Sequence, residues 1–191
     1  MLKVKDNLRT LLFCVVITFG CLFGYLLLQN LSVELFVRLG WETRADSDLF
    51  ANGFWLTFFV FFLIVPVCEE LIFRFVICRL LKLTKMPEWW IIVLSAFVFM
   101  IYHTSWSQTI YQFLMGFWFA WIFLKTNKIG WTVLMHIINN VFILAYTSLI
   151  GNEVSVFALT PWNITLSLGL AIITTIIVSL LIKKGIPKYE K

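Results

Sequence analysis

Phe61-Phe62-Leu63-Ile64-Val65-Pro66-Val67-Cys68-Glu69-Glu70-Leu71-Ile72-Phe73-Arg74 sets two adjacent carboxylates inside an otherwise apolar run. The run begins upstream near Phe50 and carries Phe54, Trp55, Phe58 and Phe59 on the way in. An ionised side chain near the centre of a bilayer costs at least ~2.5–3.5 kcal/mol, so groups retained there mark a functional site. The length and composition of this run predict a membrane-crossing helix. Its two glutamates predict that one face of the helix meets polar groups on its neighbours rather than lipid.

The rest of the chain fits that setting. Of its 191 residues, 61% are hydrophobic, 18% aromatic and only 13% charged, about half the charged fraction of a soluble domain. Six apolar segments emerge, at about 10–29, 51–80, 89–105, 107–124, 130–150 and 162–182, near or above the ~20 residues that a span needs, the second long enough to need tilt. The expected fold is all-α: a polytopic membrane helix bundle of about six transmembrane helices around an intramembrane polar cavity. The whole chain, 1–191, reads as one membrane domain. The link from Asn30 to Asp48 mixes Leu31, Val33, Leu35, Phe36, Leu39 and Trp41 with charges, which predicts a short amphipathic helix in the interface. The first apolar run outlasts the h-region of a signal peptide and no A-x-A-like site follows, so it reads as an uncleaved span. Cys14, Cys21, Cys68 and Cys78 all fall in apolar segments without metal-type spacing, as small core residues do.

Charge orients the segments. The net charge of +5 lies in short clusters beside the apolar runs, which argues against nucleic acid as a partner and for topology signals. Lys3, Lys5 and Arg9 precede the first run, Arg79, Lys82 and Lys85 follow the second, and Lys125 and Lys128 follow the fourth. Lys183, Lys184, Lys188 and Lys191 follow the sixth. The intervening links carry Glu34, Glu42, Asp46, Asp48 and Glu153 against Arg38 and Arg44. The positive-inside rule predicts both termini in the cytoplasm.

Both histidines of the chain, His103 and His136, fall inside apolar segments, and Asn139 and Asn140 join His136 in the fifth. Polar groups in hydrocarbon must face one another or a cavity, so these residues and the glutamates predict one shared site. Helical rise of ~1.5 Å per residue puts Glu69, His103 and Asn140 at similar depth, near mid-membrane. Glu70 and Arg74 are four residues apart and can pair on one face. Glu69 points about 100° away from Glu70, towards whatever else lines the site, where a buried carboxylate suits general-base work. His136 and Asn140 share a face as well, and a ring N–H with an amide N–H suits a developing oxyanion. His103 follows Phe99 by one helical turn, which sets an aromatic ring beneath the imidazole.

These residues resemble the three motifs of the CPBP family, the intramembrane proteases that include CAAX prenyl-protein endopeptidases and bacterial bacteriocin-processing relatives. EExxxR matches Glu69-Glu70-Leu71-Ile72-Phe73-Arg74, FxxxH matches Phe99-Met100-Ile101-Tyr102-His103, and HxxxN matches His136-Ile137-Ile138-Asn139-Asn140. The second and third are weak alone, and all three in order on successive apolar segments form a specific signal. The resemblance places the family core at about 65–150. It implies an intramembrane endopeptidase that hydrolyses a peptide bond of a membrane-associated peptide or protein, in a bacterial-type plasma membrane. Glu69 would then activate water with His103, His136 and Asn140 would hold the oxyanion, and Glu70 and Arg74 would support the site. No cofactor is required by that chemistry. The larger prenyl-protein proteases have more spans, and this compact chain looks more like members tied to peptide maturation, bacteriocin immunity or phage-abortive phenotypes.

Three other readings of the same residues stand beside it. Glu69, His103 and His136 are also three plausible zinc ligands with an open fourth position, although no HExxH helix is present. A bacteriocin-immunity or scaffold protein would keep the motifs and act by binding. A proton-coupled transporter would use intramembrane Glu and His as a relay, but paired Gly/Pro-broken spans are missing. Among smaller features, Pro66 lies one turn before Glu69 and predicts a kink. Gly116 and Ala120 form a small-xxx-small pair that predicts close helix packing.

Overall fold

The computed structural model describes residues 2–41, 53–103, 106–150 and 160–185, and every regular element among them is helical. The first helix, α1, runs Leu2–Arg38. No proline interrupts it, and Gly40 ends it by taking a left-handed φ of 71°. The Gly40 N–H then donates to Val37 O and the Trp41 N–H to Phe36 O, both at 3.0 Å. The Phe36 and Trp41 rings stack at 5.3 Å across this ending, which completes a Schellman motif with its apolar clasp. The separate interfacial helix expected after Asn30 is therefore not formed at 31–38: that stretch continues α1. Asn30, Leu31 and Ser32 are buried there, and Glu34 and Arg38 pair four residues apart at 2.6 Å. The remainder of that link, 42–48, lies outside the described residues.

The glutamate-bearing helix, α2, is one rod from Phe54 to Leu83 with two wide turns in it. It comprises α-helical Phe54–Phe59, π-helical Val60–Ile64, α-helical Val65–Glu70, π-helical Leu71–Ile77 and α-helical Cys78–Leu83. The Val65 N–H reaches back five residues to Val60 O. Pro66, which has no N–H to give, follows at once, so the helix meets its proline with a widened turn. Such turns are frequent at functional sites, and here they bracket the segment that carries Glu69 and Glu70.

Four further helices follow: α3 Glu88–Tyr102, α4 Thr109–Thr126, α5 Ile129–Ile150 and α6 Pro161–Gly185. A 3₁₀ turn at Trp106–Gln108 leads into α4. Asn127, left-handed at φ 51°, ends α4. Among the described residues, three helices are long and apolar enough to cross a membrane, over Leu8–Arg38, Trp55–Leu83 and Pro161–Leu181, while Glu88–Tyr102 and Ile129–Ala145 are shorter apolar helices. The third apolar segment was expected to run to 105, yet α3 stops at Tyr102. Its 15 residues give about 22 Å, less than the ~30 Å of a hydrocarbon core.

Packing follows from small residues and polar anchors. α1 lies along α6, where Gly24 touches Thr174 and the Tyr25 hydroxyl meets Thr175 at 3.0 Å. Tyr25 also accepts from the Trp118 indole at 2.9 Å, which ties α1 to α4. The main core joins α1, α4, α5 and α6 through Ile17, Leu22, Tyr25, Met115, Phe119 and Met135. α3 packs tightly on α4 because Gly116 faces Ala96, both without bulk between the backbones. Cys14, Cys21 and Cys78 are buried as expected, but Cys68 is exposed on the outer face of α2. That outer face also presents Trp55, Leu56, Ile64, Ile72 and Val76. A long apolar surface of this kind suits contact with lipid, and the molecule is a membrane helix bundle.

Candidate active site

Glu70 anchors the polar cluster. Its side chain is fully buried, and its Oε1 lies 3.2 Å from Arg74 Nη1 and 3.0 Å from His136 Nδ1. The first contact is the four-residue pair read from the sequence; the second reaches 66 residues along the chain to α5. Arg74 is equally buried and donates from Nη2 to the backbone carbonyl of Gly116 at 3.3 Å. Its guanidinium lies over Phe99 at 4.3 Å and against Phe119 at 5.3 Å, where flat aromatic faces favour a cation. Gly116 makes this possible: a Cβ there would come within 3.0 Å of the Phe99 ring and 3.2 Å of Ala96 Cα. Ser95 adds a bond from its hydroxyl to Phe73 O at 3.2 Å, clasping α3 to α2.

Glu69 lies on the neighbouring face of α2 and turns to the histidines. Its Oε2 stands 3.5 Å from His136 Nε2 and 4.0 Å from His103 Nε2, with 9% of its side chain exposed. His103 follows the last residue of α3, and its Nδ1 is 2.9 Å from Phe99 O. A carbonyl only accepts, so Nδ1 carries the proton and Nε2 of the neutral ring is the acceptor that faces Glu69. The Phe99 ring packs against His103 at 4.5 Å and His136 at 5.8 Å, and so serves as a common wall for both imidazoles. His136 is set between the carboxylates, Nδ1 to Glu70 and Nε2 to Glu69. With Arg74 paired to Glu70, Nδ1–H donates to Glu70, and Nε2 is free to give or take a proton on the Glu69 side.

Asn140 sits apart from this cluster. The sequence placed it with His136 on one helical face, but its contacts run elsewhere: Nδ2 lies 3.5 Å from Phe61 O and Oδ1 accepts from Asn139 Nδ2 at 3.2 Å. Asn139 is buried and in turn accepts from the Tyr111 hydroxyl at 2.6 Å. The five residues Glu69, Glu70, Arg74, His103 and His136 thus come together, and Asn140 lies half-buried one helical turn beyond His136. Tyr111, Ser95 and the Gly116 carbonyl were not singled out as polar partners by sequence reading. Tyr111 stands near the start of an apolar run, where an interfacial tyrosine is ordinary, and a backbone carbonyl leaves no mark in a sequence.

The zinc alternative asks that Glu69, His103 and His136 close on one ion at ~2.0–2.2 Å from each donor. Among the described residues, no group of three or more His, Cys, Asp or Glu side chains is arranged to hold a metal ion. Both nitrogens of His136 are already turned to carboxylates.

Residues 51–142 match the protein-family model described as type II CAAX prenyl endopeptidase Rce1-like. No curated protein and no solved structure matches the chain. The matched stretch covers α2, α3, α4 and α5 as far as Phe142, and so includes every residue of the cluster together with Tyr111, Asn139 and Asn140.

Proposed function

We propose, from the premise that residues 51–142 place this chain in the CPBP/CAAX protease family, that it is an intramembrane endopeptidase with Glu69 as its general base. The observation that carries this reading is the position of Glu69 Oε2, 3.5 Å from His136 Nε2 and 4.0 Å from His103 Nε2. Those separations are too long for direct strong hydrogen bonds and suit a water held between the groups. Glu69 takes one proton of that water while His103 Nε2 accepts its other hydrogen as a bond and aims the oxygen. The water oxygen adds to the scissile carbonyl carbon, and the carbonyl becomes a tetrahedral oxyanion.

His136 and Asn140 stabilise that oxyanion by donation. With Nδ1–H given to Glu70, donation from Nε2 requires a proton there, so the working His136 ring is doubly protonated. Glu70 and Arg74 hold the ring and close the charge balance around it. Collapse of the intermediate breaks the C–N bond, and the proton on Glu69 passes to the leaving amine. Glu70 and Arg74 act through His136 and are positioning residues. The substrate is a membrane-associated peptide or protein, reached within the bilayer.

The same cationic links that orient the sequence support a multi-pass chain with cytoplasmic termini. Arg79 and Lys82 close α2, and Lys125 near the end of α4 pairs with Glu88 at the start of α3 at 2.7 Å. These cations therefore collect at one end of the bundle, as the positive-inside rule expects of a cytoplasmic face.

Cleavage of an internally quenched, prenylated CAAX peptide by purified protein in micelles tests the reading. Glu69→Gln is expected to lower kcat about 100-fold or more; retained cleavage overturns the base assignment. A chelator is expected to leave the wild-type rate unchanged. Loss of activity that zinc restores would instead support Glu69, His103 and His136 as ligands. A cellular phenotype retained in full by Glu69→Gln would support a binding role without hydrolysis.

A further inference from the structure

We propose that Tyr111, Asn139 and Pro66 are positioning residues that hold the Asn140 side chain with its amide nitrogen, rather than its oxygen, on the Phe61 carbonyl of α2. The inference rests on the oxyanion role proposed above for Asn140. An asparagine can present either end, and only the nitrogen end donates. Something must therefore select the orientation, and a chain of hydrogen bonds anchored on a carbonyl, which only accepts, does so.

One end is made by Pro66. Phe61 O has two backbone N–H groups within helical reach, four and five residues ahead. The Val65 N–H is committed to Val60 O, and Pro66 has none. The carbonyl freed by the proline meets Asn140 Nδ2 at 3.5 Å, a weak contact at the outer limit of a hydrogen bond. Since a carbonyl can only accept, Asn140 must point its nitrogen that way and its Oδ1 towards Asn139. Asn139 must then offer Nδ2 to that oxygen, at 3.2 Å, which turns its own Oδ1 to Tyr111. The Tyr111 hydroxyl is the other end and donates into Asn139 Oδ1 at 2.6 Å. Each link permits only one direction for the next. Tyr111 and Asn139 are buried, where turning the Asn139 amide alone would set its oxygen against Asn140 Oδ1 at a considerable cost. Asn140 Nδ2 has two hydrogens, and the chain occupies one. The second is available to an oxyanion.

Two readouts test this. In protein labelled with 15N-asparagine, the side-chain amide pair missing from the Asn140→Ala spectrum is that of Asn140. It is expected to shift in Tyr111→Phe, which removes the terminal donor, and in Pro66→Ala, which restores a backbone N–H to Phe61 O. An unmoved Asn140 signal in both variants overturns the chain, whether or not the protein cleaves any peptide. In the quenched-peptide assay, Asn140→Ala is expected to lower kcat about 100-fold, the scale of one lost oxyanion donor. Tyr111→Phe is expected to lower kcat about tenfold with KM within about twofold, and to add nothing to Asn140→Ala in the double variant. Losses that multiply in the double variant overturn the coupling. An active Asn140→Ala overturns the oxyanion role itself while the amide signals still report the chain. Asn139→Asp, which accepts from Tyr111 but cannot donate to Asn140, replaces Tyr111→Phe if that protein does not accumulate.

Discussion

Glu70 is the residue whose removal from its partners would cost the most. It is fully buried with Arg74 and His136 on the same oxygen, so truncating Arg74 leaves the carboxylate without its guanidinium partner in a water-poor site. Breaking a buried pair from one side costs about 3–5 kcal/mol, whereas replacing both members by apolar groups is often neutral. Arg74→Met is therefore expected to reduce Tm and accumulation sharply. Glu70→Met with Arg74→Met should recover much of the Tm, measured by thermal melting in micelles, while cleavage stays lost because His136 has no Nδ1 partner. The sequence showed half of this arrangement. A four-residue spacing on a helix is a local geometric fact, so Glu70 with Arg74 was readable. The bond from Glu70 to His136 depends on how α5 lies against α2, and no local pattern specifies that. Asn140 shows the same limit: its spacing from His136 was readable, but its contact with Phe61 O on another helix was not.

At the scale of elements, the tight junction of α3 and α4 carries the site. Gly116 admits Ala96 and the Phe99 ring, and its carbonyl receives Arg74. Gly116→Ala would force α3 away by a few tenths of an ångström or more, at the ~1–3 kcal/mol typical of overpacking. Both Tm and kcat are expected to fall, since Phe99 walls both imidazoles; an unchanged kcat would separate the junction from the chemistry. The pair Gly116 and Ala120 already announced close packing, because small residues at that spacing have few other uses in a membrane helix. Element ends were less legible. Composition shows apolarity but not termination, so α3 seemed to pass His103. Charge in the 31–38 stretch suggested a separate element, whereas a helix with no breaker before Gly40 simply continued.

At the scale of the whole molecule, α1 and α6 stand outside the matched stretch 51–142 and brace the α4–α5 side of it. Gly24 packs against Thr174 between them, and a Cβ there would overlap the Thr174 hydroxyl. Gly24→Ala is expected to lower Tm by several degrees, as roughly 1–3 kcal/mol of overpacking should, while kcat per folded molecule stays at the wild-type value. A matching fall in kcat would show that the brace also sets the site. The membrane class was legible from composition because hydrocarbon imposes one solution on the backbone; which helices touch was not, because lipid-facing and protein-facing surfaces are equally apolar. The two π-helical turns of α2 give the molecule a tolerance that its other helices lack. A π turn holds one residue more than the α-helical path requires, so deleting lipid-facing Val76 lets Leu71–Ile77 relax to ordinary pitch. Glu70 and Arg74 keep their spacing, and the downstream helix keeps its phase. Deleting Val67 from the α-helical Val65–Glu70 has no such slack and rotates both carboxylates by about 100° relative to the upstream half of the rod. Chain length is thus negotiable by a single residue where the π turns flank the doublet, and fixed within it.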